Sequence, residues 1–182
     1  MPTNESTVTI HMVSSLDGFV CKPDGDVAWL ETSDRYEAGI ADEDAIAFLG
    51  TVDCFVLGAR TYETALKLGW PYSDVPVIVL TTSNMPADRA SVQFLSGDLA
   101  GLVRERLRPR YKNIWVVGGP TLVRDFLRMG LADEVRVTIA PVIIGGGLPF
   151  FDRTEVESAL HLKDVTAYKS GMVELSYVVR TD

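Results

Sequence analysis

Two places in this chain bring glycine to the point where an apolar strand turns into a helix. Ile114-Trp115-Val116-Val117-Gly118-Gly119-Pro120-Thr121-Leu122 is a short apolar run that ends on a glycine pair and enters an amphipathic segment. Upstream, Phe55-Val56-Leu57-Gly58-Ala59-Arg60-Thr61-Tyr62 has a similar build. Without a Cβ, glycine lets backbone N–H groups approach a bound group closely, and an emerging helix N-terminus favours negative charge. The chemistry this pattern suits is phosphate binding, and two such corners can grip two ends of one dinucleotide. A plain strand-to-helix turn explains each corner equally well. Neither G-x-G-x-x-G nor G-x-x-x-x-G-K-[ST] occurs, so the usual Rossmann and P-loop readings lack support.

The elements that must hold these corners follow from hydrophobic periodicity. Strand-like runs lie at 8–14, 53–57, 76–81, 91–95, 114–117 and 134–143, several of them continuous in Val, Ile and Leu. Continuous apolar strands separated by helices predict a largely parallel sheet covered on both faces. Helices are expected near 40–50, 60–68, 98–108 and 119–129, the last with Leu122, Phe126 and Leu127 on one side. Residues 162–169 and 172–180 are joined by Ser170-Gly171, and Val173, Leu175, Tyr177 and Val179 alternate with other residues. That pattern predicts an antiparallel hairpin closing one sheet edge, so the sheet is mixed. Residues 1–7 read as a disordered polar tail and 8–182 as a single α/β domain without repeats or linkers.

Composition narrows the function. With 182 residues, 47% hydrophobic, the chain suffices for one full core. Its 25 acidic against 17 basic residues give a net charge of −8, which disfavours nucleic acid or an anionic membrane as a partner. Any anion must therefore be bound locally. Only Cys21 and Cys54 are present, no C-x-x-C occurs, and His11 and His161 are far apart in sequence. A structural metal site or disulfide framework is not expected, and Cys54 reads as core. Nothing resembles a secretory signal or an 18-residue apolar span, so the reading is a soluble cytoplasmic protein.

Taken together, the motifs resemble the dihydrofolate reductase-like superfamily, and most closely its RibD C-terminal (riboflavin biosynthesis reductase) branch. The matching elements are Ser14-Ser15-Leu16-Asp17-Gly18, Gly58-Ala59-Arg60-Thr61-Tyr62, Val116-Val117-Gly118-Gly119, and Asp133-Glu134 followed by Pro141-Val142-Ile143-Ile144-Gly145-Gly146-Gly147-Leu148-Pro149-Phe150-Phe151. They run in the family's order across nearly the whole chain. The resemblance implies a three-layer α/β/α fold and an NADPH lying across the sheet. Gly58, Ala59, Arg60 and Thr61 would then hold one part of the pyrophosphate, and Val117, Gly118, Gly119, Pro120, Thr121 and Leu122 the other. Thr81, Thr82 and Ser83 match the position of hydroxyls on an adenosine 2′-phosphate, or they form only a polar turn before Pro86.

Hydride transfer asks a protein to hold the nicotinamide against the acceptor carbon and to supply a polar group that orients or protonates the acceptor. Asp42, sixteen residues before Gly58, matches the carboxylate that anchors folate in dihydrofolate reductases; its alternative is a helix-start acid complementing the dipole. Asp17 matches a residue at the pocket mouth of the riboflavin-type reductases, or it belongs to an ordinary Asp-Gly turn. Trp29 matches a tryptophan bordering the active site, or is core. Thr138 matches a threonine linked to the anchoring carboxylate, or satisfies a buried backbone group. Gly146, within Gly145-Gly146-Gly147, would bend over the substrate mouth or lie in a surface loop. The basic run Arg104, Arg106, Arg108, Arg110 and Lys112 reads as a solvated face.

Departures from the family bear on the substrate. Val123 stands where dihydrofolate reductases usually carry an aromatic residue, their Leu-Pro-Trp segment is missing, and the H-x-E and P-C-x-x-C elements of the zinc deaminase are absent. The expectation is an NADPH-dependent reductase of a pyrimidine- or pterin-type heterocycle, homodimeric by resemblance. The alternatives are a catalytically degenerate ligand-binding module of the same fold and a general carbonyl or nitro reductase.

Overall fold

A computed structural model describes residues 5–180. In chain order the strands are β1 (Thr7–Ser15), β2 (Phe19–Cys21), β3 (Cys54–Gly58), β4 (Val77–Leu80), β5 (Val92–Leu95), β6 (Asn113–Gly118), β7 (Glu134–Ala140), β8 (Leu148–Pro149), β9 (Leu160–Ala167) and β10 (Val173–Val179). The helices are α1 (Glu43–Leu49), α2 (Ala59–Lys67), α3 (Leu99–Gly101, continuing as a π-helix over Leu102–Leu107) and α4 (Pro120–Arg128). Eight strands form one sheet in the order β5-β4-β3-β6-β1-β7-β10-β9. Every neighbouring pair is parallel except the two made by β10.

Both faces of this sheet are covered, which is why its strands read as continuous apolar runs. On one face, Tyr62 and Ala65 of α2 pack with Phe55, Leu57, Val77 and Val79, and Phe48 of α1 joins their margin. On the other, Leu122, Val123 and Phe126 of α4 and Leu102, Val103 and Leu107 of the π-helix pack with Val8, Ile10, Val56 and Val116. Burying a side chain such as Phe126 fully contributes roughly 1.5–3 kcal/mol. The three-layer α/β/α arrangement and the mixed, mostly parallel sheet with its C-terminal antiparallel hairpin stand as the sequence suggests.

Several details differ. Strand β7 stops at Ala140, short of the expected 143, because Pro141 has no N–H to continue a ladder. Helix α3 is capped by Asp98, whose carboxylate accepts from the Ala100 and Gly101 N–H groups. Arg108, expected on a solvated face, is half-buried: its guanidinium donates to the Ser6 and Leu131 carbonyls and pairs with Asp133 at 2.9 Å. The small β2–β8 pairing carried no sequence signal that periodicity could detect. It depends on Gly147, where a Cβ would come 1.9 Å from the Cys21 carbonyl oxygen and φ is +149°. Of the expected polar tail, residues 1–4 lie outside the described residues, while Thr7 already pairs in β1. Cys54 is buried in the core, and burial pushes its thiol up to about 12.

Candidate functional site

Strands β3 and β6 are parallel neighbours with Leu57 opposite Gly118, so both glycine corners lie at the same carboxyl end of the sheet. A Cβ on Gly58 would sit 3.6 Å from the Gly118 carbonyl oxygen and 3.7 Å from the Gly119 nitrogen. Gly118 has φ +115°, and a Cβ there would come 2.7 Å from Met12 Sδ. The Gly118–Gly119 peptide is cis. Gly58 and Gly119 occupy the N-cap positions of α2 and α4, and neither helix start carries a side-chain cap. The first-turn N–H groups of Arg60 and Thr61, and of Thr121 and Leu122, therefore have no intrahelical carbonyl to bond. Pro120 has no N–H in any case, and its fixed φ suits the first helical position.

The chain leaves these adjacent corners toward opposite faces. From β3, α2 packs on one face and leads to β4; from β6, α4 packs on the other and leads across β1 to β7. Such a reversal opens a crevice at the carboxyl ends of the strands, where ligands of open α/β sheets bind. Unpaired amide donors and two helix dipoles supply local positive potential on a chain with net charge −8. Next to Gly58, β4 ends opposite it at Leu80 and delivers Thr81, Thr82 and Ser83 to the same rim. There Thr81 Oγ1 accepts from the Ser83 N–H at 3.0 Å, and the exposed Thr82 and Ser83 follow.

The carboxylates divide sharply. Asp17 is exposed, and its oxygens accept from the Ile144 N–H at 3.2 Å and the Gly145 N–H at 2.8 Å. The Ser15 hydroxyl, ahead of these amides, holds its carboxyl below the usual range. Asp17 thus fastens the 144–147 glycine loop to the end of β1, and Gly146 within that loop faces open space. Asp42 sits at the N-cap of α1, exposed and without a capping bond. Trp29 lies half-buried on a 3₁₀ turn, Ala28–Leu30, and its Nε1 is buried without a partner.

Thr138 is buried on β7 and belongs to a polar cluster that sequence reasoning missed. Its hydroxyl donates to Glu174 Oε2 at 3.2 Å and lies 3.1 Å from His11 Nε2. Since that hydroxyl is spent as a donor, His11 carries its proton on Nε2 and leaves Nδ1 as a free acceptor. Arg136 NH1 stands 3.5 Å from Glu174 Oε1. His11 stacks on Trp115 at 4.6 Å, and the Arg136 guanidinium lies 3.9 Å over the Phe48 ring. Burial and then the Arg136 charge lower His11 to about 3, so it stays neutral. The available signal was a polar residue at one-face spacing in each of three apolar strands: His11, Arg136 with Thr138, and Glu174 with Ser176. With His11 127 positions from Thr138 and Thr138 36 from Glu174, no local pattern connected them.

No group of three or more His, Cys, Asp or Glu among the described residues is disposed to hold a metal ion. No helix among them is long and apolar enough to cross a membrane. Comparison with known proteins places this geometry. The RibD C-terminal domain model matches residues 6–174. The chain is 33% identical over 176 residues to the uncharacterized protein YwjB of Bacillus subtilis (strain 168), covering 96% of this chain and 98% of that one. In structure it resembles a provisionally assigned riboflavin biosynthesis protein from Shewanella sp. PV-4, with TM-score 0.82 and 23% identity over 96% of this chain and 99% of the other. It also shares its fold with dihydrofolate reductase from Enterococcus faecalis complexed with NADP(H), at TM-score 0.63 and 17% identity over 98% and 99% of the two chains. The chain belongs to the RibD C-terminal domain family, on a dihydrofolate reductase-like fold.

Proposed function

We propose that this protein is an NADPH-dependent reductase that delivers hydride to a small nitrogen heterocycle of pyrimidine or pterin type. The observation that carries the reading is the juxtaposition of two uncapped helix starts whose glycines lie within van der Waals reach of each other. A Cβ at Gly118 would crowd Met12, and one at Gly58 would rest in ordinary contact with the Gly118 carbonyl oxygen and the Gly119 nitrogen, so the two bare corners lie side by side as one backbone cradle. Its free donors suit a pyrophosphate. When bound, the nicotinamide supplies the hydride. Arg60 and Thr61 on α2 and Thr121 and Leu122 on α4 would hold the phosphates through backbone N–H groups, with Gly58, Ala59, Val117, Gly118, Gly119 and Pro120 shaping the cradle. Thr81, Thr82 and Ser83 at the end of β4 would meet the 2′-phosphate, favouring NADPH over NADH.

For the acceptor, Trp29, Thr138 and Gly146 would border the pocket, Asp42 would lie at its edge, and Asp17 would hold the loop over its mouth. Stacked and hydrogen-bonded side chains can align an acceptor ring with the nicotinamide, which is one of the contributions a protein makes to hydride transfer. The net charge of −8 argues against nucleic acid and membrane partners. A cytoplasmic homodimer is part of the same reading, supported by the exposed Leu160, Leu162 and Val165 on the edge strand β9.

Fluorescence titration with NADPH and NADH tests the proposal. Saturable binding with NADPH preferred is expected, and no saturable binding of either nucleotide up to millimolar concentration would overturn it. Because Asp42 is exposed and uncommitted, a ligand-binding module without turnover is the rival reading. NADPH oxidation in the presence of aminopyrimidines and pterins eliminates that rival.

A further inference from the structure

The polar cluster on β1, β7 and β10 is costly as it stands. Three of its buried atoms, His11 Nδ1, Arg136 Nε and Ser176 Oγ, have no hydrogen-bond partner, although buried polar groups are almost always paired. All three belong to one face of the sheet, the face that carries α1: His11 stands opposite Arg136, Arg136 opposite Ser176, and Thr138 opposite Glu174. The register of β1 on β6 ends with Ile10 opposite Val116, and three residues further along β1 Val13 stands opposite Thr138, so Thr138 lies toward the same carboxyl end of the sheet as the Gly118–Gly119 corner, two strands away. At about 4.8 Å per strand, that is roughly 10 Å from the cradle. The His11 and Glu174 side chains each keep 10% of their surface, while the three unpartnered atoms are themselves buried.

Resting on the reductase reading above, we propose that Glu174, rather than Asp42, is the carboxylate that orients the acceptor ring. Arg136 beside it selects a ring that presents a carbonyl next to an N–H. Glu174 Oε1 accepts the ring N–H, Arg136 Nε–H donates to the carbonyl, and His11 Nδ1 accepts from an exocyclic amine. Thr138 is the positioning residue: its hydroxyl fixes Glu174 Oε2 and is itself fixed by His11 Nε2–H. Burial raises the Tyr168 hydroxyl first, then Glu174; Arg136 opposes the rise, and Asp164 and Asp42 add the smallest shares. What separates Glu174 from Asp42 is order. Glu174 is buried and held by neighbours on two strands, whereas Asp42 is exposed and held by none.

The test is calorimetric binding to the NADPH-loaded protein, with 5,6-diaminouracil as the ring carrying a carbonyl beside N–H and 2,4-diaminopyrimidine as the ring lacking it. The diaminouracil is expected to bind at least tenfold tighter. Glu174→Gln should weaken it at least tenfold while NADPH affinity stays within twofold, and Asp42→Asn should cost less than threefold. Arg136→Lys should abolish the preference between the two rings without weakening the diaminopyrimidine, a change of ratio that a merely structural role would not produce. If Glu174→Gln does not fold, Thr138→Val, which keeps the volume and removes the hydroxyl, carries the same expectation. The proposal is overturned if the wild type binds neither ring, if the loss in Glu174→Gln is under tenfold, if Asp42→Asn loses as much, or if the ring preference survives Arg136→Lys. Failure of the wild type to bind NADPH would instead defeat the reading on which it rests.

Discussion

The crevice between β3 and β6 and the polar slot on β1, β7 and β10 are built in opposite ways. The crevice is made of backbone: glycines, uncapped N–H groups and helix dipoles, with no charged side chain required. The slot is made of side chains that bond one another across three strands, and its charges are balanced by Arg136 against Glu174. A backbone site tolerates change along its rim but not at its glycines. A side-chain site shifts its preference with each member replaced. On the reading proposed above, the former would take the constant part of a reaction, the nucleotide, and the latter the variable part, the acceptor.

The largest expected effect therefore comes from placing charge in the cradle. Gly119→Asp puts a carboxylate where the phosphates are proposed to lie, and we expect NADPH binding to fall at least a hundredfold in a fluorescence titration, about 2.7 kcal/mol. Folding should change little, because a Cβ at Gly119 meets only Thr61 Oγ1, at 3.7 Å. Gly118→Ala should act on both counts: with φ +115° and Met12 Sδ at 2.7 Å, a loss of roughly 1–3 kcal/mol in denaturant unfolding is expected. An unchanged midpoint would show that the corner is not conformationally demanding.

This contrast also explains what could be read in the sequence. Gly58 and Gly118-Gly119 each sit inside one contiguous strand-to-helix segment, so spacing alone located the corners and periodicity located their strands. Topology then made them neighbours. The slot had no such local code. His11 lies 127 residues from Thr138, and Thr138 lies 36 from Glu174; only the pairing of β1, β7 and β10 brings them together. Arg108 was misread for a similar reason, since the basic run looks solvated until the Ser6 and Leu131 carbonyls and Asp133 close around one member. Thr138 was found through family resemblance, but its carboxylate partner in this structure is Glu174.

Acid should expose the slot before the crevice. His11 has a folded pKa of about 3, below its value near 6.5 in the unfolded chain. Between these values the unfolded state binds more protons, so stability is full above pH 6.5 and falls as pH drops toward 3. The slope from this group should approach but not exceed about 1.4 kcal/mol per pH unit. The charged groups facing His11 are Glu174 and Arg136. In urea unfolding at stepped pH, His11→Gln should flatten the profile below pH 6.5; an identical slope would remove His11 as its source.

The smallest effect is expected at Asp17. Asp17→Asn keeps the shape but weakens acceptance from the Ile144 and Gly145 N–H groups, and because the contact is exposed the effect should stay local to the loop. Hydrogen exchange at those two amides should quicken while global stability holds, and unchanged exchange would mean that the loop is held by other contacts.

A crystal of the protein grown with NADPH tests the central claim most directly. The phosphate oxygens are expected about 3 Å from the backbone nitrogens of Arg60 and Thr61 on one side and of Thr121 and Leu122 on the other. A nucleotide bound elsewhere on the sheet, or phosphates held by side chains with both glycine corners untouched, would contradict it.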